Sequence, residues 1–267
     1  MEPNVPTSFN FDYLNNIKKF LLPELSSLEI SVYPSLPSTN SFLLETAAQE
    51  TSSDRVIIAE EQSSGRGRKG RSFFSPKGSG LYISILLHPD LSPRDSLKLT
   101  PTAAVAVCNA IEKVSGETPQ IKWVNDIFMR GKKVGGILTE SRLSANSLEY
   151  AVIGIGINIY PPENNFPSDI ENIAGTVFHQ KLPDVRPRLA AEILNSLFEY
   201  LPKLRSSALL DNYRKRCFVL GKEISFISNG IQTHATAINI DNDFRLVVRL
   251  QDNSLQSLSS GEISIKL

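Results

Sequence analysis

The sequence is poor in the residues that staple or plate a fold. It holds two cysteines, Cys108 and Cys217, and three histidines, His88, His179 and His234, among 267 residues. Two cysteines this far apart make no disulfide framework, which fits a reducing compartment, and buried free thiols are expected. No cysteine or histidine falls at the spacing of a structural zinc site. No Gly-x-Ser-x-Gly elbow occurs, so a hydrolase triad of that kind has no support. No apolar run reaches the roughly 20 residues that a membrane-spanning helix needs. Residues 1–10 lack the apolar stretch of a secretory signal and the arginines of a transit peptide. An excess of one charge is missing too, since 28 Lys+Arg balance 28 Asp+Glu. A protein that lives by binding nucleic acid carries a basic excess, so any basic function here is local. Together these absences predict a cytoplasmic protein with no membrane partner.

What is present suits one large domain and a small one, with enough chain to bury a true core. Phe11, Leu14, Ile17 and Leu21 show helical spacing over 11–22. A strand is expected over 29–36, and Ser38-Thr39-Asn40 supplies a cap for a helix running into SFLLETAAQE. A strand over 55–62 leads into a Gly-, Ser- and cation-rich loop over 63–80, a length unusual without a function. A strand over 81–87 precedes a helix over 95–115, where Pro101 is expected to make a kink. Strands over 120–129 and 134–142 are joined by a hairpin at 130–133, and another strand covers 148–159. Helices follow near 186–201 and 207–216. From Gly221 the pattern turns to short strands, with turns at Asn229-Gly230 and Asp241-Asn242-Asp243. The expected class is α+β, with an N-terminal extension (1–28), a main domain (29–219) and a small β-barrel (220–267).

Three clusters carry candidate chemistry. Gly65-Arg66-Gly67-Arg68-Lys69-Gly70-Arg71 packs three glycines and four cations into seven residues. Glycines let backbone N–H groups turn toward an anion, and arginines add planar forks for phosphate. It is not a Walker A loop, and a solvated basic loop or an RNA contact stay open beside a nucleotide role. Its cations repel one another and no large apolar side chain comes before Phe73, so without ligand the loop is expected to be poorly held. Lys122-Trp123-Val124-Asn125-Asp126 places an amide and a carboxylate side by side, a pair suited to hydrated Mg2+ escorting phosphates, or simply to a turn. Lys133, before Gly135-Gly136, could neutralise a developing negative charge, and the paired glycines signal close approach of a ligand or another backbone. Gly154-Ile155-Gly156-Ile157-Asn158 lacks the third glycine of a dinucleotide fingerprint, which rejects a Rossmann reading.

In order along the chain, Ser38-Thr39-Asn40, Gln62 with the Gly65–Arg71 loop, Lys122–Asp126, Lys133-Val134-Gly135-Gly136-Ile137-Leu138 and Gly154–Asn158 resemble the biotin protein ligase family. Gly261-Glu262-Ile263-Ser264 looks like that family's C-terminal barrel, and the resemblance covers about residues 29–267. It implies a mixed, largely antiparallel sheet with flanking helices, like class II aminoacyl-tRNA synthetases, followed by an SH3-like barrel. It also implies ATP-dependent activation of biotin to biotinyl-5'-AMP and transfer to a lysine of a biotin carboxyl carrier domain, with ATP, Mg2+ and biotin as ligands.

By the same resemblance Ser38, Thr39, Asn40, Gln62, Arg66, Gly67, Arg68, Lys133 and Gly136 bind biotin. Arg66, Arg68, Arg71, Phe73, Asn125, Asp126, Lys133 and Asn158 serve ATP and the adenylate. Lys133 and Arg68 carry catalysis, and Asp126 holds Mg2+. Val124 stands where the family usually has proline, and Phe73 where tryptophan is common; the first alters local stiffness, the second keeps an aromatic ring. The family's repressors carry an N-terminal helix-turn-helix domain. The short stretch before residue 29 implies a form without one and no specific DNA partner, and a homodimer is compatible with the sequence. The competing readings are a lipoate ligase-like acyltransferase and a non-enzymatic biotin-sensing module.

Overall fold

In the computed structural model, residues 10–47, 53–144, 147–228, 230–259, 261 and 263–265 are described. The elements run α1 (Phe11–Lys18), β1 (Glu29–Tyr33), α2 (Thr39–Ala47), β2 (Arg55–Ala59), β3 (Gly80–Leu87), α3 (Pro93–Ser96), α4 (Leu99–Ser115), β4 (Gln120–Lys122), β5 (Asp126–Met129), β6 (Lys132–Leu143) and β7 (Leu148–Asn158). Then come α5 (Val185–Tyr200), α6 (Ser207–Arg216), β8 (Glu223–Ser228), β9 (Ile231–Ile240), β10 (Leu246–Leu250), β11 (Leu255–Leu258) and β12 (Ile263–Ile265). The first seven strands form one sheet in the order β1-β2-β3-β7-β6-β5-β4. Only β1 and β2 run parallel; every other neighbouring pair is antiparallel. This is the mixed, largely antiparallel α+β sheet that the sequence led us to expect.

Period-two alternation decides what each face of the sheet does. Leu81, Ile83, Ile85 and Leu87 of β3, and Ala151, Ile153, Ile155 and Ile157 of β7, point into one core shared with α1, α4 and α5. Each such large side chain contributes about 1.5–3 kcal/mol relative to exposure. Their neighbours Leu86 and Val152 point the other way, into a smaller cluster with Leu43 and Ala47 of α2. On that second face the register lines up Ser84, Gly154 and Leu138 across three strands, and Tyr82, Gly156, Gly136 and Asp126 across four. The second face is therefore half apolar clamp and half a row of small and polar residues.

Several expected bounds shift. The first helix stops at Lys18, and β1 ends at Tyr33, although Leu36 still makes an isolated bridge to Gln62. Pro101 makes no kink: it lies in the first turn of α4, where a missing N–H costs nothing, and a separate short helix, α3, precedes it. The expected strand 120–129 is two strands, β4 and β5, which pair with each other across Trp123–Asn125, and the Trp123–Val124 peptide is cis. Asn125 therefore sits in a turn, not within a strand. The tail of the second expected helix at 48–50, Asn229 of the expected turn and Glu262 lie outside the described residues.

The last five strands form an antiparallel sheet in the order β11-β10-β9-β8-β12, the SH3-like unit expected. It shares the main core: Ile224, Phe226, Phe244 and Leu246 belong to the same buried cluster as Trp123 and Tyr213. Trp123 Nε1 donates to the Phe244 carbonyl at 2.9 Å, and the Tyr213 hydroxyl donates to the Val124 carbonyl at 3.1 Å. Arg94 pairs with Asp243 at 2.5 Å across the same junction. Among the described residues no helix is long and apolar enough to cross a membrane.

Candidate active site

The polar row on the second sheet face meets the N-terminus of α2, and the chemistry collects there. Ser38 is the cap foreseen: its hydroxyl accepts from the Ser41 N–H at 3.3 Å. The Thr39 N–H and hydroxyl donate to Gln62 Oε1 at 2.9 and 3.1 Å, and Gln62 Nε2 donates to the Ser75 hydroxyl at 2.9 Å. Ser84, fully buried in β3, places its hydroxyl 2.7 Å from Thr39 Oγ1 and 2.6 Å from Asn40 Oδ1. The Asn40 amide donates to the Leu138 carbonyl at 3.2 Å and to Glu140 at 3.1 Å. Asn40 fits only because residue 154 is glycine; a Cβ there would lie 2.0 Å from Asn40 Oδ1. Ser38, Thr39 and Asn40 are 3–4% exposed, so this end is a dry, neutral network whose dipoles are already fixed.

The basic loop folds back on itself above that network. The Gly67 N–H donates to the Arg71 carbonyl at 2.7 Å and the Phe73 N–H to the Gly65 carbonyl at 2.8 Å. Lys69 and Gly70 turn the chain at φ 55° and 73°. Arg66 forks onto Glu140 with contacts of 3.0 and 2.8 Å, and Arg68 donates to Asn125 Oδ1 at 2.7 Å. Against the expected mutual repulsion, two of the loop's cations thus have protein partners. They found carboxylate and amide acceptors on β6 and in the β4–β5 turn, which sequence distance concealed. Phe73 lies against Gly156, where a Cβ would fall 2.6 Å from its ring, and meets Tyr82 edge-on at 6.4 Å.

The other end of the row is charged. Lys133 Nζ sits 2.6 Å from Asp126 Oδ1, with the two side chains 34% and 24% exposed. Asn125 donates to the Ile137 carbonyl at 3.0 Å and to Asp126 at 3.3 Å. Gly136 lies beneath the pair, its missing Cβ 3.7 Å from both Asp126 Oδ1 and Lys133 Nζ. The segment 173–175 grips the Lys133 backbone: Lys133 N–H donates to Ile173, and Gly175 N–H to Lys133, each at 2.8 Å.

A cavity of about 250 Å³ joins the two ends. Every residue expected at the site lines it except Asn158. The Asn158 amide instead donates to the Gly175 carbonyl at 3.1 Å, and so holds the segment that holds Lys133. Further walls, singled out in sequence motifs but not expected as site residues, are Gly154 and Gly156 and, near the C-terminus, Gly261, Ile263 and Ser264. Ser84 and Glu140 were missed as well. A serine within the apolar run LYISILL was a usable signal for the first. Even spacing from Gly136 and Leu138, which puts Glu140 on their strand face, was one for the second.

Among the described residues no group of three His, Cys, Asp or Glu could hold a metal ion. Asp126 offers one carboxylate, partly engaged by Lys133. That suits a Mg2+ ion that arrives on phosphates and keeps its waters, not one caged by protein. Cys108 and Cys217 are free and buried, and burial pushes each thiol up to about 12, so neither is a nucleophile for this cavity.

Residues 32–158 match the model of the biotin/lipoate A/B protein ligase family. The bifunctional ligase/repressor BirA of Bacillus subtilis is 36% identical over 160 residues, 60% of this chain and 49% of that protein. Against it, this chain spans about half of the relative's length. The biotin–[acetyl-CoA-carboxylase] ligase of Mycobacterium tuberculosis is 26% identical over 245 residues, 88% of each chain. Among solved structures, the biotin protein ligase from Aquifex aeolicus in complex with biotin and ATP superposes with a TM-score of 0.71 at 24% identity, covering 89% of this chain and 98% of that one. That last likeness is one of fold.

Proposed function

We propose that this chain is a biotin protein ligase, which activates biotin with ATP to biotinyl-5'-AMP, releasing pyrophosphate, and passes the biotinyl group to a lysine of a carrier domain. One observation carries the reading: a single cavity has a dry hydrogen-bond network at one end and, at the other, a Lys133–Asp126 pair with Arg68 bonded to Asn125. A ureido ring carries donors and an acceptor that demand fixed polar partners, and Ser38, Thr39, Asn40 and Gln62 offer them. The flexible aliphatic ring of lipoate carries no such donors and acceptors and gains nothing from this network. The names of the relatives, and the ligands bound in solved structures of similar fold, agree with biotin and ATP as substrates.

Biotin's carboxylate is a weak nucleophile repelled by the triphosphate. Holding it in line with the α-phosphorus supplies proximity. An oxygen of the carboxylate forms the new P–O bond as the bond to pyrophosphate breaks. Lys133 and Arg68 supply preorganised positive charge where negative charge gathers. Asp126, beside Asn125, would hold Mg2+, which adds counter-charge to the triphosphate when bound. The acceptor amine then attacks the anhydride carbonyl, AMP leaves, and the nitrogen loses a proton. The folded 65–73 loop keeps water from the anhydride in the meantime. Zero net charge leaves specific DNA out of this reading.

The test incubates the protein with biotin, ATP, Mg2+ and a biotin carboxyl carrier domain, and reads the carrier by intact mass. Carrier modified once, with pyrophosphate released, is the expected result. Modification with lipoate but not biotin would transfer the reading to the acyltransferase class. Biotin binding without pyrophosphate release would make the protein a sensor.

A further inference from the structure

Glu140 belongs to no part of the chemistry above, yet it touches two of its groups. One oxygen accepts from the Asn40 amide at 3.1 Å and from Arg66 at 3.0 Å; the other accepts from Arg66 at 2.8 Å. A second ion pair on the same hairpin, Arg142 with Glu149 at 2.8 Å, is more exposed at 59% and 43%, and neither residue lines this cavity. The Arg66–Glu140 pair is 43% and 26% exposed. Exposed pairs of the Arg142 kind contribute little. Glu140 differs because its carboxylate also fixes a buried amide, and because both partners line the cavity from different elements.

We infer that Glu140 is a positioning residue for biotin: it orients the Asn40 carboxamide and pins Arg66 over the cavity at the same time. Ser84 and Glu140 act on Asn40 from opposite ends. The Ser84 hydroxyl donates toward Oδ1 and Glu140 receives Nδ2, so the amide has one orientation. Arg66 reaches Glu140 through its two terminal nitrogens, one of which also donates to the Ser41 hydroxyl at 3.4 Å, so the guanidinium is tied to both β6 and α2 at the cavity wall. Without Glu140 the amide loses its charged acceptor and the basic loop loses its tie to β6. The ground state of bound biotin then suffers, while charge neutralisation at Lys133, at the far end of the cavity, does not. The substrate in this inference rests on the biotin reading above.

The experiment compares Glu140→Ala and Glu140→Gln with wild type, using Glu149→Ala as a control for loss of an ion pair on the same strands. Biotin affinity is measured by titration calorimetry. KM for biotin and kcat come from biotin-dependent ATP–pyrophosphate exchange. Glu140→Ala should raise both Kd and KM for biotin about tenfold, the scale of one lost charge-assisted hydrogen bond, with kcat within about threefold. Glu140→Gln should fall between, since its carbonyl still accepts from Asn40 without the charge that Arg66 requires. It also decides the matter if the alanine variant does not fold. Glu149→Ala should match wild type. Unchanged biotin Kd and KM in both Glu140 variants would overturn the inference, and so would a fall in kcat alone. If wild type binds biotin but exchanges no pyrophosphate, the ligase reading fails, and the biotin Kd of the variants still decides the role of Glu140. If wild type binds no biotin, both fall.

Discussion

The two ends of the cavity are built on opposite principles. The end at α2 is neutral, nearly dry and fully bonded, with Ser38, Thr39 and Asn40 only 3–4% exposed. The end at β5 and β6 is charged, a quarter to a third exposed, and satisfied by a Lys133–Asp126 pair. Neutral dipoles in a low dielectric are strong and specific but pay no large desolvation cost, so they can be fixed before a ligand arrives. Charges are different. Left bare they would be costly, so each is paired within the protein until an incoming anion can take over its cation. One end is made to recognise a ring, the other to exchange partners during a reaction.

The largest expected effect breaks the charged end. Lys133→Ala should cut adenylate formation about 100- to 1000-fold, the usual cost of one preorganised donor to developing charge, about 2.7–4 kcal/mol. Biotin-dependent pyrophosphate exchange reads it, and activity within threefold of wild type would end the assignment. Next comes the neutral end. Gly154→Ala puts a Cβ where Asn40 Oδ1 now sits, and such overpacking costs about 1–3 kcal/mol. Biotin affinity should fall at least tenfold, while exchange at saturating biotin stays within a few-fold. Equal damage to both would mean that the two ends are not separable.

A smaller effect is expected where the ends meet. Arg68→Gly removes the bond to Asn125 and frees the loop, so reactive adenylate should escape. Labelling of bystander lysines should rise several-fold while carrier labelling persists; no rise would show that Arg68 does not retain the intermediate.

The smallest effect on activity should come from the junction far from both ends. Arg205 beside Asp95, and Arg94 beside Asp243, hold both carboxyls below the usual carboxylate range. A carboxyl depressed in the folded state contributes stability that is complete above its unfolded pKa near 4 and is lost as pH falls through the folded value. Asp95→Asn should lower the thermal midpoint at neutral pH, by about 2–4 °C for each kcal/mol lost. It should also flatten the fall in wild-type stability below about pH 4, and leave biotin Kd and exchange kinetics unchanged. A kinetic change would mean that the junction reports to the cavity.

Much of the site was legible because its parts are short and locally coded. A capping Ser-Thr-Asn, a glycine–arginine loop, an Asn-Asp turn and a Lys followed by two glycines each advertise themselves by residue type. Thirteen of the expected positions meet in one cavity, though their order in the chain says nothing of distance. Asn158 shows the limit: its residue type suited phosphate, but its amide was already committed to Gly175. The loop shows another. Four cations in seven residues suggested repulsion, and only the fold revealed that Glu140 and Asn125 lie opposite.

The sequence by itself determined most of the elements, because alternation and capping act within a few residues of chain, though not the split of 120–129 into β4 and β5 or the short α3. It also determined the chemical vocabulary of the site. Only the tertiary structure decided which glycines make room for which side chains, Gly154 for Asn40 and Gly156 for Phe73, and which carboxylate each arginine holds. It alone brought Ile263 and Ser264 to the cavity wall. Those pairings depend on sheet register and on the packing of α2 and the C-terminal sheet. Contacts between residues a hundred positions apart are fixed by burial of the common core, which no local pattern encodes.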